Sequence, residues 1–215
     1  MKKICLLGAS GSIGGQTLDV IRKHPVDFSL VGFSVGNQVE KIPEIINEFN
    51  PKCVCVKEHV EGMDKQFPNI EFFYGDEGLN ELIKACDCNM VVNALVGFVG
   101  LKPSLTALEN NKILSLANKE TLVTGGELIN KLLKDGKGKL IPIDSEHVAL
   151  SKCLAVENSN VDKIVITASG GAFRKLSRDQ LSDVTPEDAL KHPTWSMGNK
   201  ITHKHSPLPL RRLGR

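Results

Sequence analysis

Short, almost wholly apolar segments recur along this chain: "KICLLG" at its start, then "FSLVGFSV", "KCVCVK", "NMVVNALV", "KILSLA" and "KLIPI". Between them run stretches with helical spacing. Residues 12–24 carry Ile13, Leu18, Val20 and Ile21, and the next stretch carries Val39, Ile42, Ile45, Ile46 and Phe49. Further helices are expected near 78–86 and 101–110 and over about 119–134. A strand that is apolar at successive positions has to be covered on both faces, and parallel neighbours need a helical crossover. The repeated βα rhythm therefore predicts an α/β fold, a doubly wound and mostly parallel sheet.

Near Asp144 the rhythm changes. One more strand, "KIVITAS", leads into a Gly-rich segment, and "TPEDAL" has the form of a helix start with Thr185 as cap and Pro186 in the first turn. A domain boundary is expected close to residue 150, leaving residues 1–150 as the first domain.

With 215 residues, 41% of them hydrophobic and 24% charged, the chain has enough apolar material for a sizeable core. The formal charge of +2 and the lack of basic runs interleaved with aromatics argue against a nucleic-acid partner. No apolar stretch approaches the ~20 residues of a membrane span. The first strand begins at Lys2, which leaves no room for a leader peptide. Six cysteines include two C-x-C pairs but no C-x-x-C, and both pairs lie in or beside expected strands. Buried free thiols in a reducing compartment are the better reading than a metal site, and a cytoplasmic protein is expected.

The first βα turn reads "LLGASGSIGGQTLDV", with Gly8, Gly11 and Gly14 spaced G-x-x-G-x-x-G. Glycines there allow a tight turn and close backbone approach to a pyrophosphate, and the following helix N-terminus offers N–H donors. The strand before it and the amphipathic helix after it are the context of a Rossmann-type dinucleotide site. The second strand runs into Gly36, Asn37 and Gln38, with no carboxylate before Glu40. An acid there would bind the 2′-hydroxyl of NAD and repel a 2′-phosphate, so its absence favours NADPH. No Arg or Lys stands at those three positions to clamp that phosphate.

"LIPIDSEHVAL", residues 140–150, ends a strand in Asp144, Ser145, Glu146 and His147. Two readings stand. Asp and Ser are ordinary helix caps. Alternatively, two carboxylates separated by one residue in extended chain face the same side and converge on a hard cation such as Mg²⁺ or Mn²⁺.

Three further stretches are "LANKETLVTGG" with Asn118, Lys119 and Glu120, "ASGGAFR" with Ser169, Gly170 and Gly171, and "HPTWSMGNKIT" with His192, Trp195, Ser196, Met197 and Gly198. Together with "GASGSIG" and "PIDSEH", in this order, they resemble the 1-deoxy-D-xylulose 5-phosphate reductoisomerases, from Met1 to about Thr202. The resemblance implies an NADPH-binding Rossmann-type domain over 1–150. The start of an α+β catalytic domain with its active-site loop would occupy 151–202. It implies NADPH and Mg²⁺ or Mn²⁺ as cofactors, with Co²⁺ as a further candidate, a sugar phosphate substrate, and homodimers for the full-length family. The activity it implies is rearrangement of 1-deoxy-D-xylulose 5-phosphate and its reduction to 2-C-methyl-D-erythritol 4-phosphate.

By match, Ser10, Gly11, Ser12 and Ile13 would hold the pyrophosphate, and Gly36, Asn37 and Gln38 would lie around the adenosine ribose. Asn118, Glu120 and Gly198 would also contact cofactor. Asp144 and Glu146 would bind metal. Substrate would meet Lys119, Ser145, Glu146, Ser169 and His192, with Lys119, Glu146 and His192 as the catalytic residues. His147 receives no role.

After Thr202 the chain reads "HKHSPLPLRRLGR", whereas family members continue with a segment bearing a serine, an Asn–Lys pair and a third metal carboxylate. Residues 203–215 have no helical or strand period and are expected to form a disordered tail. The resemblance thus covers roughly half of a normal member, and impaired turnover is expected of a chain so cut. Two other readings remain. One is a non-catalytic NADPH-binding fragment. The other is a different NADPH-dependent reductase such as a semialdehyde dehydrogenase, which needs a catalytic Cys where this chain has only Cys153 in a plain helix.

Overall fold

A computed structural model describes residues 1–155, 161, 163–165 and 172–191. The chain divides into two compact units, Met1–Glu157 and Asn158–Arg215.

The first unit is built on seven parallel strands: β1 Lys2–Leu7, β2 Phe28–Val35, β3 Cys53–Val56, β4 Glu71–Tyr74, β5 Met90–Asn93, β6 Ile113–Leu116 and β7 Lys139–Pro142. Their order across the sheet is β4-β3-β2-β1-β5-β6-β7. The chain steps outward from β1 to β4, returns to the middle, and steps outward the other way. The direction reverses between β1 and β5, where Leu7 pairs with Asn93. In an open sheet of this kind the crevice at that reversal is where ligands bind.

Successive side chains of a strand go to opposite faces, and the core divides accordingly. Ile4 and Leu6 of β1 join Phe33, Val54 and Val92 on one face. There they meet Leu18 and Ile21 of α1 (Ser12–Lys23) and Ile42, Ile45 and Ile46 of α2 (Ile42–Phe49). Cys5 and Leu7 join Val91, Leu114 and Leu116 on the other. That face is covered by α4 (Gly75–Ala85), α5 (Leu101–Glu109) and α6 (Lys119–Lys134). Doubly wound α/β architecture follows directly from this alternation.

The C-x-C cysteines obey the same rule. Cys5, Cys53, Cys55, Cys86 and Cys88 are all buried, unpaired and on one face, while Cys153 is exposed. Burial pushes the Cys55 thiol up to about 12. Among the described residues no three His, Cys, Asp or Glu side chains are gathered as a metal site.

The structure adds elements that the apolar pattern does not announce. A short α3 (Met63–Gln66) and the edge strand β4 lie between β3 and α4. β4 is only four residues long and half-exposed, too short for a periodic signal. Strand β5 stops at Asn93 rather than running on through "ALV", because Asn93 Oδ1 accepts from Leu95 N–H at 3.1 Å and turns the chain. Helix α6 is broken at Gly125 (φ −130°, ψ 19°), which packs against Leu101 too closely for a Cβ.

Beyond β7, α7 spans Ser145–Leu154. In the second unit, Lys163–Val165 are not in a strand, and the rest of "KIVITAS" lies outside the described residues. Helix α8 (Pro186–Leu190) starts as its sequence predicts. Thr185 Oγ1 accepts from Asp188 N–H at 3.2 Å, and Thr185 N–H donates to Asp188 Oδ2 at 3.2 Å, a capping box. Among the described residues no helix is long and apolar enough to cross a membrane.

Candidate active site

All the candidate residues in the first unit follow the C-terminal ends of strands. Ser10–Ile13 follow β1, Gly36–Gln38 follow β2, Asn118–Glu120 follow β6 and Asp144–Glu146 follow β7. Because the strands are parallel, these four groups line one edge of one sheet.

At the β1 end, Gly8 has φ +84°, and a Cβ there would stand 3.0 Å from Ala94 O, in the segment that follows β5. A larger residue is excluded on both counts. The turn is anchored from β2: Gly8 N–H donates to Ser34 Oγ at 2.9 Å and Ala9 N–H to Ser34 O at 2.8 Å. At Gly14, a Cβ would collide with the carbonyl oxygens of Gly8 and Ala9, so helix α1 lies directly on the turn. Gly11 is the N-cap of α1, with no side-chain cap, and Gly11 and Ser12 are exposed. The first N–H groups of α1 therefore open outward, as an anion-binding helix end requires. Gly36, Asn37 and Gln38 are exposed beside this turn's strand.

Asn118 is the N-cap of α6 and is buried, 2% exposed. Its Oδ1 accepts from Thr121 N–H at 2.9 Å and Thr121 Oγ1 at 3.2 Å. Its Nδ2 donates to Leu95 O at 3.0 Å and Gly97 O at 2.8 Å. Every hydrogen-bonding position of the side chain is used inside the protein. Any cofactor contact at Asn118 thus falls to its backbone, while its side chain fixes where Lys119 begins.

Lys119 reaches across to β7. Its Nζ lies 2.7 Å from Asp144 Oδ2 and 3.4 Å from Glu146 Oε2. Asp144 also caps α7, its Oδ1 accepting from His147 N–H at 3.4 Å and lying 2.9 Å from His147 Nδ1. The capping reading of "IDSEH" holds through Oδ1, while Oδ2 faces the Lys119 ammonium. The two carboxylates do not share one side of an extended chain: Glu146 sits in the first turn of α7, and they converge through the helix start. Ser145 Oγ donates to Glu146 Oε2 at 2.8 Å.

The charges are mutually reinforcing. Burial pushes Asp144 upward, but the hydrogen bond and charge of Lys119 outweigh it and hold the carboxyl below its ordinary range. Glu146 is lowered first by the Ser145 hydroxyl. Burial acts to lower Lys119, yet its bond to Asp144 and both nearby carboxylates raise it overall. The ammonium lies between two carboxylate oxygens.

Ser169, His192 and Gly198 lie outside the described residues, as do Trp195 and the 203–215 tail. Three positioning residues escape the sequence reading. Ser34 and Asn93 are buried polar groups inside apolar strands, a signal visible in "FSLVGFSV" and "NMVVNALV". Asn93 Nδ2 donates to Gly100 O at 2.9 Å and Ser104 Oγ at 2.8 Å, fixing the turn beside Gly8. His147 is the third, through Asp144.

Comparison with known proteins returns one family over both units. The model for 1-deoxy-D-xylulose 5-phosphate reductoisomerase matches residues 4–126, and the model for its C-terminal domain matches 140–209. A 1-deoxy-D-xylulose 5-phosphate reductoisomerase of Listeria innocua is 49% identical over 206 residues, 94% of this chain and 54% of that protein. One from Bacillus thuringiensis is 51% identical over 205 residues, again 94% and 54%. A solved DOX-P reductoisomerase in complex with NADPH, fosmidomycin and magnesium superposes with a TM-score of 0.82 at 32% identity, over 94% of this chain and 53% of that one. The Zymomonas mobilis enzyme in complex with NADPH gives 0.82 at 30% identity, over 95% and 54%. The chain spans about half the length of the curated relatives it matches.

Proposed function

Because the chain belongs to the 1-deoxy-D-xylulose 5-phosphate reductoisomerase family, we propose that it carries the cofactor half and the first metal carboxylates for one reaction. That reaction is the NADPH- and divalent-metal-dependent isomerisation and reduction of 1-deoxy-D-xylulose 5-phosphate to 2-C-methyl-D-erythritol 4-phosphate. One observation supports this above the rest. The open glycine turn after β1 shares a sheet edge with a lysine clasped by two carboxylates after β7.

Asp144 and Glu146 suit a hard divalent cation. They offer only oxygen, they already face one positive charge, and Mg²⁺ commonly takes one or two carboxylates and fills its other positions with water or substrate oxygens. When bound there, such an ion polarises substrate oxygens as a Lewis acid. Ser145 orients the Glu146 carboxylate, and His147 orients that of Asp144. Lys119, charged and held at the start of α6, offers N–H donors to a substrate oxygen beside the two carboxylates. The α1 N-terminus and Ser10–Ile13 receive the pyrophosphate, and Gly36–Gln38 the adenosine ribose. Hydride transfer is the cofactor's chemistry, and positioning is the protein's share. Ser169 and His192 are proposed for the substrate's phosphate end, with Gly198 against the cofactor.

The test is metal-dependent oxidation of NADPH with 1-deoxy-D-xylulose 5-phosphate, on this chain and on the chain extended by the half of the relatives' length it does not span. Turnover that needs the metal and disappears with Asp144→Asn is expected at least in the extended form. Turnover in neither form, or turnover indifferent to the metal, overturns the proposal.

A further inference from the structure

The residues directly after β2 favour NADPH only by lacking an acid. The structure supplies a cation. Lys41 closes a 3₁₀ turn, Val39–Lys41, just beyond Gln38, and its Nζ donates to Ser10 O at 3.3 Å. This contact joins the segment after β2 to the glycine turn after β1. Those two segments are the walls between which a dinucleotide's adenosine ribose sits in a fold of this type. Lys41 is half-buried, and among the described residues no carboxylate is paired with it. Its charged neighbours Glu40 and Glu44 are exposed, and neither forms an ion pair with it. An ammonium has three N–H donors, so the bond to Ser10 leaves two for a ligand.

We propose that Lys41 is the specificity residue that selects the 2′-phosphate of NADPH over the 2′-hydroxyl of NADH. The proposal rests on the reading of the β1 turn as the dinucleotide site. A phosphate lodged between Gly36–Gln38 and Ser10 would meet this one positive charge and no negative one at those four positions. The three residues directly after β2 are uncharged, which is why the sequence showed no clamp.

Equilibrium titration of the full chain with NADPH, NADH, 2′,5′-ADP and 5′-AMP tests it, for the wild type, Lys41→Gln and Lys41→Arg. Lys41→Gln is expected to weaken NADPH and 2′,5′-ADP by about tenfold to a hundredfold, the worth of one charge-assisted hydrogen bond. NADH and 5′-AMP should be unchanged, and Lys41→Arg should retain most of the NADPH affinity. A lysine that only ties the two turns together would cost NADPH and NADH equally. That result, or no loss at all, overturns the assignment while leaving the dinucleotide site intact. If the wild type binds none of the four ligands, the dinucleotide reading itself falls, and this assignment falls with it.

Discussion

The Lys119 ammonium lies 2.7 Å from Asp144 Oδ2, bridging the starts of two helices that follow neighbouring strands. Lys119 therefore competes with any divalent cation for the same carboxylates. Replacing Lys119 with Gln removes one positive charge from the cluster. We expect Mn²⁺ affinity to rise by about tenfold, since a charge a few ångströms away is worth on the order of 1 kcal/mol or more near a surface. Mn²⁺ titration by electron paramagnetic resonance reads this directly. Unchanged or weaker binding would show that the metal does not occupy the lysine's place.

Asp144 caps α7 and is proposed to hold the metal, and two substitutions separate these roles. Asn is as good a helix cap as Asp, so Asp144→Asn should keep the cap, give up only the ion pair with Lys119, and lose most Mn²⁺ binding. Asp144→Ala also loses the cap, at about 1 kcal/mol, and should melt lower than Asp144→Asn. Equal melting temperatures for the two variants would refute the capping role, and retained Mn²⁺ affinity in Asp144→Asn would refute the ligand role.

Ser34→Ala removes the hydroxyl that accepts from Gly8 N–H. A half-buried N–H left without a partner costs about 1–3 kcal/mol. Because the loss loosens the whole glycine turn, NADPH and NADH should weaken by the same factor. Titration of both cofactors, alongside thermal melting, checks it. A loss confined to NADPH would contradict this role.

The same cluster sets a pH dependence. Asp144 and Glu146 are lowered in the folded state, so their contribution to stability is fully present above the unfolded carboxylate values near pH 4. It is lost as pH falls through the lowered folded values. Lys119 is raised, so its contribution is present below its unfolded value and is lost as pH rises through the folded one. Melting curves of the wild type against Asp144→Asn should converge at both acid and alkaline extremes and differ most between them. A gap that stays constant with pH would remove the ion pair as its cause.

Much of this was legible in the residues. Strand β2 and helix α6 were bounded correctly because an eight-residue, largely apolar run, or a long amphipathic run behind Asn118, leaves little choice. The cap was legible in "IDSEH", whereas the approach of Lys119 to the other oxygen of Asp144 was not, because it comes from a different strand end. What was hidden is tertiary. Ser34 and Gly8 are 26 positions apart, and Lys41 and Ser10 are 31 apart. Nothing in local spacing encodes such approaches until the sheet order is known. Strand β4 was missed for a different reason: four residues at a half-exposed edge carry too little pattern to register.

The placement of the cysteines makes the chain its own unfolding gauge. Five thiols are sealed beneath α4, α5 and α6, and Cys153 alone meets solvent. A brief pulse of an alkylating reagent should therefore add one label to an intact molecule, and six to one that has opened. Mass spectrometry then counts the two populations molecule by molecule, with no dye, tag or engineered residue. Intermediate label numbers would show the face that carries the cysteines opening in stages.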